Sequence, residues 1–168
     1  MRKTRWMWRI LVGVVASLGM QMSYAVNTTA VVVTGCTLTG PAAMVFNTNL
    51  LLGLQSTTSF NLKCTVTGTT GNGVKITIDL SAGSSGSVLQ RNQKKGATDV
   101  LTYNLYQDSL YKSLWGNASS NQVSVTVGSA GLDQTFTIYG KIDSTTANQS
   151  EPVGTYSDPI ITATVNWP

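Results

Sequence analysis

Alternation of apolar and polar residues recurs along this chain and restricts it to an all-β fold. Successive side chains of a β-strand point to opposite faces, so a run with every second residue apolar predicts a strand with one buried face. Such runs are Phe60–Val66, Val74–Leu80, Val123–Val127, Phe136–Ile142 and Ile160–Trp167, and Leu101–Tyr106 is a further predicted strand. Polar turns rich in Gly, Ser and Asn separate them, and no segment has a convincing helical period. The pattern predicts an antiparallel, immunoglobulin-like β-sandwich; a closed barrel is the alternative, without specific support.

The first 25 residues have the pattern of a cleaved secretory signal. Four basic residues precede an apolar run of roughly a dozen residues. The run is shorter than the about 20 apolar residues that a transmembrane helix needs. Ser23 and Ala25 then supply the small residues that signal peptidase reads. We predict cleavage between Ala25 and Val26, and therefore export; an uncleaved N-terminal anchor is the alternative.

Composition excludes several classes of function. The chain has 11 Lys and Arg, 7 Asp and Glu, and no histidine. Because four of the basic residues lie in the predicted signal, the mature chain carries 7 of each sign and lacks the basic surface that nucleic acid needs. Without histidine, Ser-His-Asp and Cys-His catalysis are excluded, and the carboxylates are scattered singly. We predict no enzymatic activity, no cofactor and no metal, and a structural or binding role.

The two cysteines, Cys36 and Cys64, suggest one disulfide, since an even number in an exported chain is typical of one. Two cysteines without histidine make no plausible zinc site, and no C-x-x-C pair is present. Closing a loop of about 29 residues would stabilise the fold by about 3.6 kcal/mol in the chain-entropy description.

Several aromatic and polar residues have two interpretations. The aromatic residues at positions 103, 106, 111 and 115 could line a sugar-binding surface, although packing in the core and on the sheet is the commoner use.

Asp79 lies on the outward face of an alternating strand and is predicted to be a solvated charge. Asp158 lies where a turn meets a strand, a common place for turn hydrogen bonds. Glycosylation sequons at Asn27, Asn117 and Asn148 are expected by chance in a chain of this composition.

Four stretches together carry a family resemblance. They are Leu101-Thr-Tyr-Asn-Leu-Tyr-Gln-Asp108, Leu114-Trp-Gly-Asn117, Ile138-Tyr-Gly-Lys-Ile142 and Gly154-Thr-Tyr-Ser-Asp-Pro159, the last followed by the closing strand. In this order, after an early cysteine and a second near residue 64, they resemble the spore coat protein U domain. That family includes the subunits of archaic, Csu-type chaperone-usher pili. The resemblance covers essentially the whole mature chain.

The resemblance implies a bacterial, exported pilin whose immunoglobulin-like sandwich lacks its last strand. A periplasmic chaperone lends a strand to such a domain, and an outer-membrane usher replaces it with the N-terminal extension of the next subunit. It also implies that Cys36 and Cys64 form the family's disulfide and that Gly154–Asp158 leads into the last strand. The expected organisation is a signal over 1–25, a donor extension over 26–35 and a pilin domain over 36–168. Such a pilus at the cell surface would support adhesion and biofilm formation.

The same arrangement follows from two physical features of the sequence. A closing strand that is apolar on one face leaves an unpaired edge, and an extended β-prone arm lies before Cys36. The predicted donor residues are Val26, Thr28, Ala30, Val31, Val32 and Val33. The predicted acceptor residues are Ile161, Ala163, Val165 and Trp167. The register stays open, because both faces of the arm are apolar.

Three alternatives stay open. The arm could be a disordered terminus or the first strand of a complete sandwich. The protein could be a monomeric binding module that holds a sugar through Tyr106, Tyr111 and Trp115. It could also be a spore-coat or matrix protein that assembles in a layer.

Overall fold

The computed structural model describes residues 31–40, 44–46, 53–68, 71–152, 154–158 and 161–168. Its strands are β1 (Val32–Thr39), β2 (Leu54–Thr67), β3 (Val74–Leu80), β4 (Arg91–Lys95), β5 (Asp99–Tyr106), β6 (Val123–Val127), β7 (Leu132–Ile142) and β8 (Ala163–Asn166). A 3-10 turn covers Gly83–Ser85, and helix α1 covers Thr146–Ser150. The predicted signal over 1–25, its cleavage site at Ala25 and Val26, and the arm residues Thr28 and Ala30 lie outside the described residues.

The strands form two antiparallel sheets. One sheet has the order β1-β2-β7-β5-β4, and the other has the order β6-β3-β8. Their inward side chains form one hydrophobic core that draws on both sheets. The prediction of an all-β antiparallel sandwich is confirmed.

The core is centred on Phe60, Trp115 and Phe136. The Phe60 ring lies 6.0 Å from the Trp115 ring and 5.6 Å from the Phe136 ring, measured between centroids. Trp115 is fully buried, and its Nε1–H donates to the carbonyl oxygen of Ile78 at 2.9 Å. Its backbone N–H donates to Leu105 of the other sheet at 2.9 Å. Trp115 thus joins the two sheets, and packing is the correct interpretation of this aromatic residue.

Gly140 explains one of the four family-like stretches. It lies on the buried face of β7, where a Cβ would collide with Met44 Sδ and Phe46 Cζ. The absence of a side chain therefore lets the segment Met44–Phe46 close over the sheet. The Phe46 ring packs edge-on against Tyr103, with 6.4 Å between centroids.

The disulfide predicted between Cys36 and Cys64 is confirmed. The two residues are register partners on β1 and β2, with their Cα atoms 4.1 Å apart. The bond therefore fixes β1 to β2 near the middle of β1. The disulfide covalently closes the loop between Cys36 and Cys64.

Some elements differ from the sequence-based prediction. The last strand covers only Ala163–Asn166 rather than residues 160–167. Strand β4 escaped prediction because its sequence, RNQKK, has no apolar alternation. Helix α1 lies in a stretch predicted as a polar loop; Thr145 caps it by accepting a hydrogen bond from the Asn148 N–H at 3.2 Å.

Asn148 is the side chain that holds α1 on the sheet. It is fully buried; its Oδ1 accepts from the N–H and the hydroxyl of Thr102, and its Nδ2 donates to the carbonyls of Thr102 and Asp143. The amide is fully hydrogen-bonded inside the protein. Asn148 therefore has a structural role in the folded chain, which agrees with the interpretation that its glycosylation sequon occurs by chance.

Candidate assembly site at the last strand

Strand β8 lies at the edge of the three-stranded sheet. It pairs with β3 over four residues, from Leu80↔Ala163 to Thr77↔Asn166. In the part of the chain that the structure describes, β8 has no neighbour on its other side. In the described part of the chain, β8 is therefore paired with one strand of its own sheet, on one side.

The backbone groups on the open side of β8 can be identified from its hydrogen bonds. Thr162 points toward β3, because its carbonyl accepts from the Ser81 N–H at 2.9 Å and its N–H donates to Ser81 Oγ at 2.9 Å. In an antiparallel strand, both polar groups of a residue point to one side and those of the next residue to the other. The N–H and C=O groups of Ala163 and Val165 therefore face the open side.

The side chains of β8 and of the two residues before it alternate between the two faces of the sheet. Thr162, Thr164 and Asn166 are exposed, whereas Ile161, Ala163 and Val165 face the core but are only half-buried. The matching residues of the neighbouring strand β3 are completely covered, with Ile76 and Ile78 at 0% and Leu80 at 1% exposure. Apolar surface next to an unpaired strand edge is the chemistry that an added strand would cover.

Trp167 differs from the other predicted acceptor residues. It follows the end of β8 and is 42% exposed. Ile161, Ala163 and Val165 pack against the hydrophobic core, and Trp167 does not belong to that set.

Asp79 fixes the position of β8 on the outer face of its sheet. Its carboxylate accepts hydrogen bonds from Asn166 Nδ2 at 2.8 Å and from Gln122 Nε2 at 3.3 Å. It faces outward, as predicted, and it also has two side-chain partners there, which the sequence did not indicate. Both carboxylate oxygens are used to connect the last strand to the rest of the sheet.

Asp158 positions the chain just before β8. Its Oδ2 accepts from the Tyr103 hydroxyl at 2.9 Å, and its Oδ1 accepts from the Ser84 N–H at 3.1 Å. Burial, followed by the charge of Asp158, raises the pKa of Tyr103 far above its ordinary value. Gly83 leaves room for this carboxylate, since a Cβ there would collide with it. The predicted turn role of Asp158 is thus a tertiary one.

Arg91 is a buried cation whose burial no sequence pattern indicated. Its guanidinium donates to four backbone carbonyls, those of Leu80, Ser81, Val88 and Trp115. Burial lowers its pKa, while the nearby Tyr103 and Asp158 oppose that change. Arg91 thus fastens the end of β3 to the chain around Trp115, within the electrostatic influence of Asp158.

The strand β4, at the edge of the other sheet, is covered. Lys94 N–H donates to the Ser157 carbonyl at 2.9 Å, and Ser157 N–H donates to the Lys94 carbonyl at 3.0 Å. The segment that Asp158 anchors therefore also closes this edge.

The structure places the last part of the predicted donor arm beside β2. Val32 and Val33 are in β1, where they face Thr67 and Val66. Val31 and Val33 are each only 6% exposed, whereas Val32 is 54% exposed. In this arrangement the part of the predicted arm from Val32 onward is paired with β2.

Comparison with known proteins agrees with this architecture. The family described as the Spore Coat Protein U domain matches residues 22–164, which is most of the chain. The chain belongs to this family. Protein U of Myxococcus xanthus is 30% identical over 125 residues, a match that covers 74% of this chain and 66% of that protein, just under two thirds of its length. The family resemblance inferred from the sequence motifs is confirmed.

Other kinds of site find no support in the described ranges. No group of three or more His, Cys, Asp or Glu side chains there is placed to hold a metal ion. None of the helices described has the length and apolar character required to cross a bilayer. The family is one of structural proteins.

Proposed function

We propose that this protein is a structural subunit of a bacterial surface pilus, assembled by donor-strand complementation. The observation that carries the proposal is the open side of β8, where the polar backbone groups of Ala163 and Val165 lie beside half-buried apolar side chains. A strand from a second molecule would pair with these groups and cover these side chains. Because such a contact is head-to-tail and does not close, it produces a fibre.

The energetics are sufficient for a stable contact. If β1 leaves β2 and the whole predicted donor set inserts, its apolar residues Val26, Ala30 and Val31–Val33 supply four or five anchors, each stabilised by about 1.5–3 kcal/mol on burial, which gives on the order of 10 kcal/mol gross. Residues 26–30 alone supply two of these anchors, Val26 and Ala30, and the ladder hydrogen bonds then carry more of the contact. Each new ladder hydrogen bond adds about 1 kcal/mol net. The ordering of the arm and the association of two molecules offset part of this sum.

The donor in this proposal is the segment that precedes β1. Val26, Thr28 and Ala30 share one face of that segment, and with Val31–Val33 they complete the predicted donor set. If β1 keeps its pairing with β2, residues 26–30 are the part that reaches a neighbour. Five residues span about 17 Å as a strand, which exceeds the four residues of β8.

The remaining parts of the proposal follow from the family and the predicted signal. A periplasmic chaperone would cover the open edge before assembly, and an outer-membrane usher would exchange it for the next subunit. Neighbouring pilins, identical or different, would be the lasting partners. The product would lie on the cell surface, where it would support adhesion and biofilm formation.

The test compares two double variants of equal length and charge. T28D/A30D places carboxylates on the predicted anchor face, and N27D/T29D places them on the opposite face. Periplasmic protein is run unboiled on an SDS gel. We expect a ladder of oligomers from the wild type and from N27D/T29D, and a monomer from T28D/A30D.

Two results would contradict the proposal. A monomer band from the wild type, isolated without a chaperone, would mean that the sandwich is complete. A ladder from all three proteins would mean that assembly does not use the arm. Electron microscopy of the ladder material distinguishes a thread from the layer that a coat protein would form.

A further inference from the structure

Three tyrosines form a cluster on the outer face of the five-stranded sheet, which we call the tyrosine platform: Tyr106, Tyr111 and Tyr139. Tyr106 and Tyr139 are register partners on β5 and β7. Their inward neighbours Leu105 and Ile138 are buried, so the two tyrosines point outward. The platform lies on the sheet that does not contain β8 and is separate from the assembly site.

Tyr111 lies across the other two tyrosines. Its ring is perpendicular to both, at 5.5 Å from Tyr106 and 6.4 Å from Tyr139 between centroids. Its φ of +55° is the only positive value for a residue other than glycine among the described residues. Such a conformation is unfavourable for a bulky side chain and persists only where its surroundings enforce it.

The carboxylate of Asp108 enforces the conformation of this loop. It accepts the backbone N–H groups of Ser113 at 2.7 Å, Leu110 at 3.0 Å and Lys112 at 3.3 Å. These bonds, that from Ser113 first, lower the pKa of Asp108. The Tyr111 N–H itself donates to the Asp108 carbonyl at 3.1 Å. The loop thus holds the ring in a fixed place before any ligand arrives.

The rim of the platform is polar but has no excess charge. Lys141 Nζ lies 5.9 Å from the centre of the Tyr111 ring and forms an ion pair with Asp143 at 2.6 Å. Gln55 and Thr57, the register partners of Lys141 and Tyr139, are exposed on the same face. Amide and hydroxyl groups that both donate and accept hydrogen bonds therefore lie beside the rings.

We propose that the tyrosine platform binds a neutral oligosaccharide. The apolar C–H face of a sugar ring packs on an aromatic ring, while its hydroxyls exchange hydrogen bonds with neutral polar groups and with a paired lysine and aspartate. A polyanion would require unpaired cations, and the ion pair with Asp143 removes that possibility for Lys141. The platform differs from the sugar-binding surface considered from the sequence, which used Tyr106, Tyr111 and Trp115. Trp115 is in the core, and the third ring of the platform is Tyr139.

The test is a screen of the mature protein against an array of neutral and acidic oligosaccharides, followed by calorimetric titration with the best neutral one. Y111N removes the ring and keeps a residue that tolerates positive φ, so the loop can retain its shape. Y139A removes a second ring. Y156A is the matched control, because Tyr156 lies outside the platform and its hydroxyl donates to the Pro152 carbonyl.

We expect binding of at least one neutral oligosaccharide, about tenfold weaker or more in Y111N and in Y139A, and within about twofold of wild type in Y156A. Y111F should bind close to the wild type. Absence of binding to every oligosaccharide, a preference for acidic ones, or equal binding by Y111N would overturn the proposal. An unboiled gel of Y111N separates this site from assembly: the ladder should persist, and its loss would make the platform a subunit interface instead.

Discussion

Strands β4 and β8 are both edge strands, but the backbone groups on their outer sides are satisfied to different extents. On β4, Ser157 takes up the backbone groups of Lys94, and the strand carries two lysines that oppose pairing with another chain. Across residues 161–168, which include β8, no side chain is charged. In the part of the chain that the structure describes, nothing takes up the outward groups of Ala163 and Val165. Of these two edges, one is thus covered and the other is left available; β1 and β6 are the outer strands at the opposite ends of the two sheets.

The two edges are connected by a single segment. Residues 154–158 cover β4 through Ser157 and then position β8 through Asp158. The same short stretch therefore prevents pairing at one edge and prepares it at the other. We regard this double role as the physical reason for a Gly-x-Tyr-x-Asp stretch before the last strand.

The largest effect is expected from charging the open edge. V165K places an ammonium on the half-buried face of β8, whereas T164K places one on its exposed face, beside its register partner Asp79. We expect V165K to abolish the ladder on an unboiled gel, because an added strand would have to bury the charge. T164K should assemble as the wild type does. Equal assembly by both variants would mean that the inward face of β8 is not the acceptor.

The next effect concerns β1, the edge strand of the five-stranded sheet that carries the disulfide. Replacing both cysteines, as C36S/C64S, releases a loop closed over a sequence separation of 28. We expect the free energy of unfolding to fall by about 3.6 kcal/mol, measured by urea unfolding. A loss below about 1 kcal/mol would show that pairing with β2 alone holds β1 in place.

A smaller effect is expected from removing the anchor between the two edges. D158A removes the acceptor for Tyr103 and Ser84 and a carboxylate that interacts electrostatically with Arg91, so we expect a loss of about 2–3 kcal/mol. D133A is the matched control; Asp133 is exposed, pairs with Lys63 at 3.7 Å and accepts a hydrogen bond from Asn61 Nδ2 at 2.9 Å, exposed contacts for which we expect a loss of about 0–1 kcal/mol. Thermal unfolding measures both. Similar losses in the two variants would refute the anchoring role.

The smallest effect is expected from disturbing the backbone hydrogen bonds between Ser157 and β4. S157P removes the N–H that donates to the Lys94 carbonyl, whereas S157A keeps both backbone bonds. We expect S157P to lower the free energy of unfolding by about 1 kcal/mol and S157A to change it by less than half of that. The Lys94 N–H keeps its acceptor, the Ser157 carbonyl, in S157P, so faster hydrogen exchange at the Lys94 amide in that variant alone would show that losing one bond of the pair opens the other. Unchanged exchange there, with an unchanged free energy of unfolding, would show that the bond from the Ser157 N–H does not protect β4.

The sequence predicted most of the fold because its strands alternate. Strands β3 and β6 agree with the predicted runs to the residue, since each presents a regular apolar face to the core. Strand β4 could not be found this way, because its buried residue is Arg91, whose burial depends on four backbone carbonyls outside β4. Helix α1 is five residues long and depends on the contacts of Asn148 with β5, which no local pattern reveals.

The predicted acceptor residues follow the expected alternation except at the end of the strand. Ile161, Ala163 and Val165 face the core as alternation requires, but Trp167 lies beyond the strand, where that alternation no longer applies. Val31–Val33 have the same apolar pattern whether they belong to a neighbour's groove or to their own first strand. Only the pairing with β2 reveals the second possibility. Asp79 and Asp158 are short polar residues whose hydrogen-bond partners lie far along the chain and cannot be identified from the sequence.

The most direct test of the central claim is residue-resolved amide hydrogen exchange along β8, before and after assembly. The strand contains its own control, because the N–H groups of Thr164 and Asn166 face β3, whereas those of Ala163 and Val165 face the open side. We predict slow exchange at Thr164 and Asn166 in both states, with Ala163 and Val165 exchanging fast in the unassembled subunit and slowly in the polymer. If Ala163 and Val165 exchange equally fast in both states, no strand is added to β8 and the account is wrong.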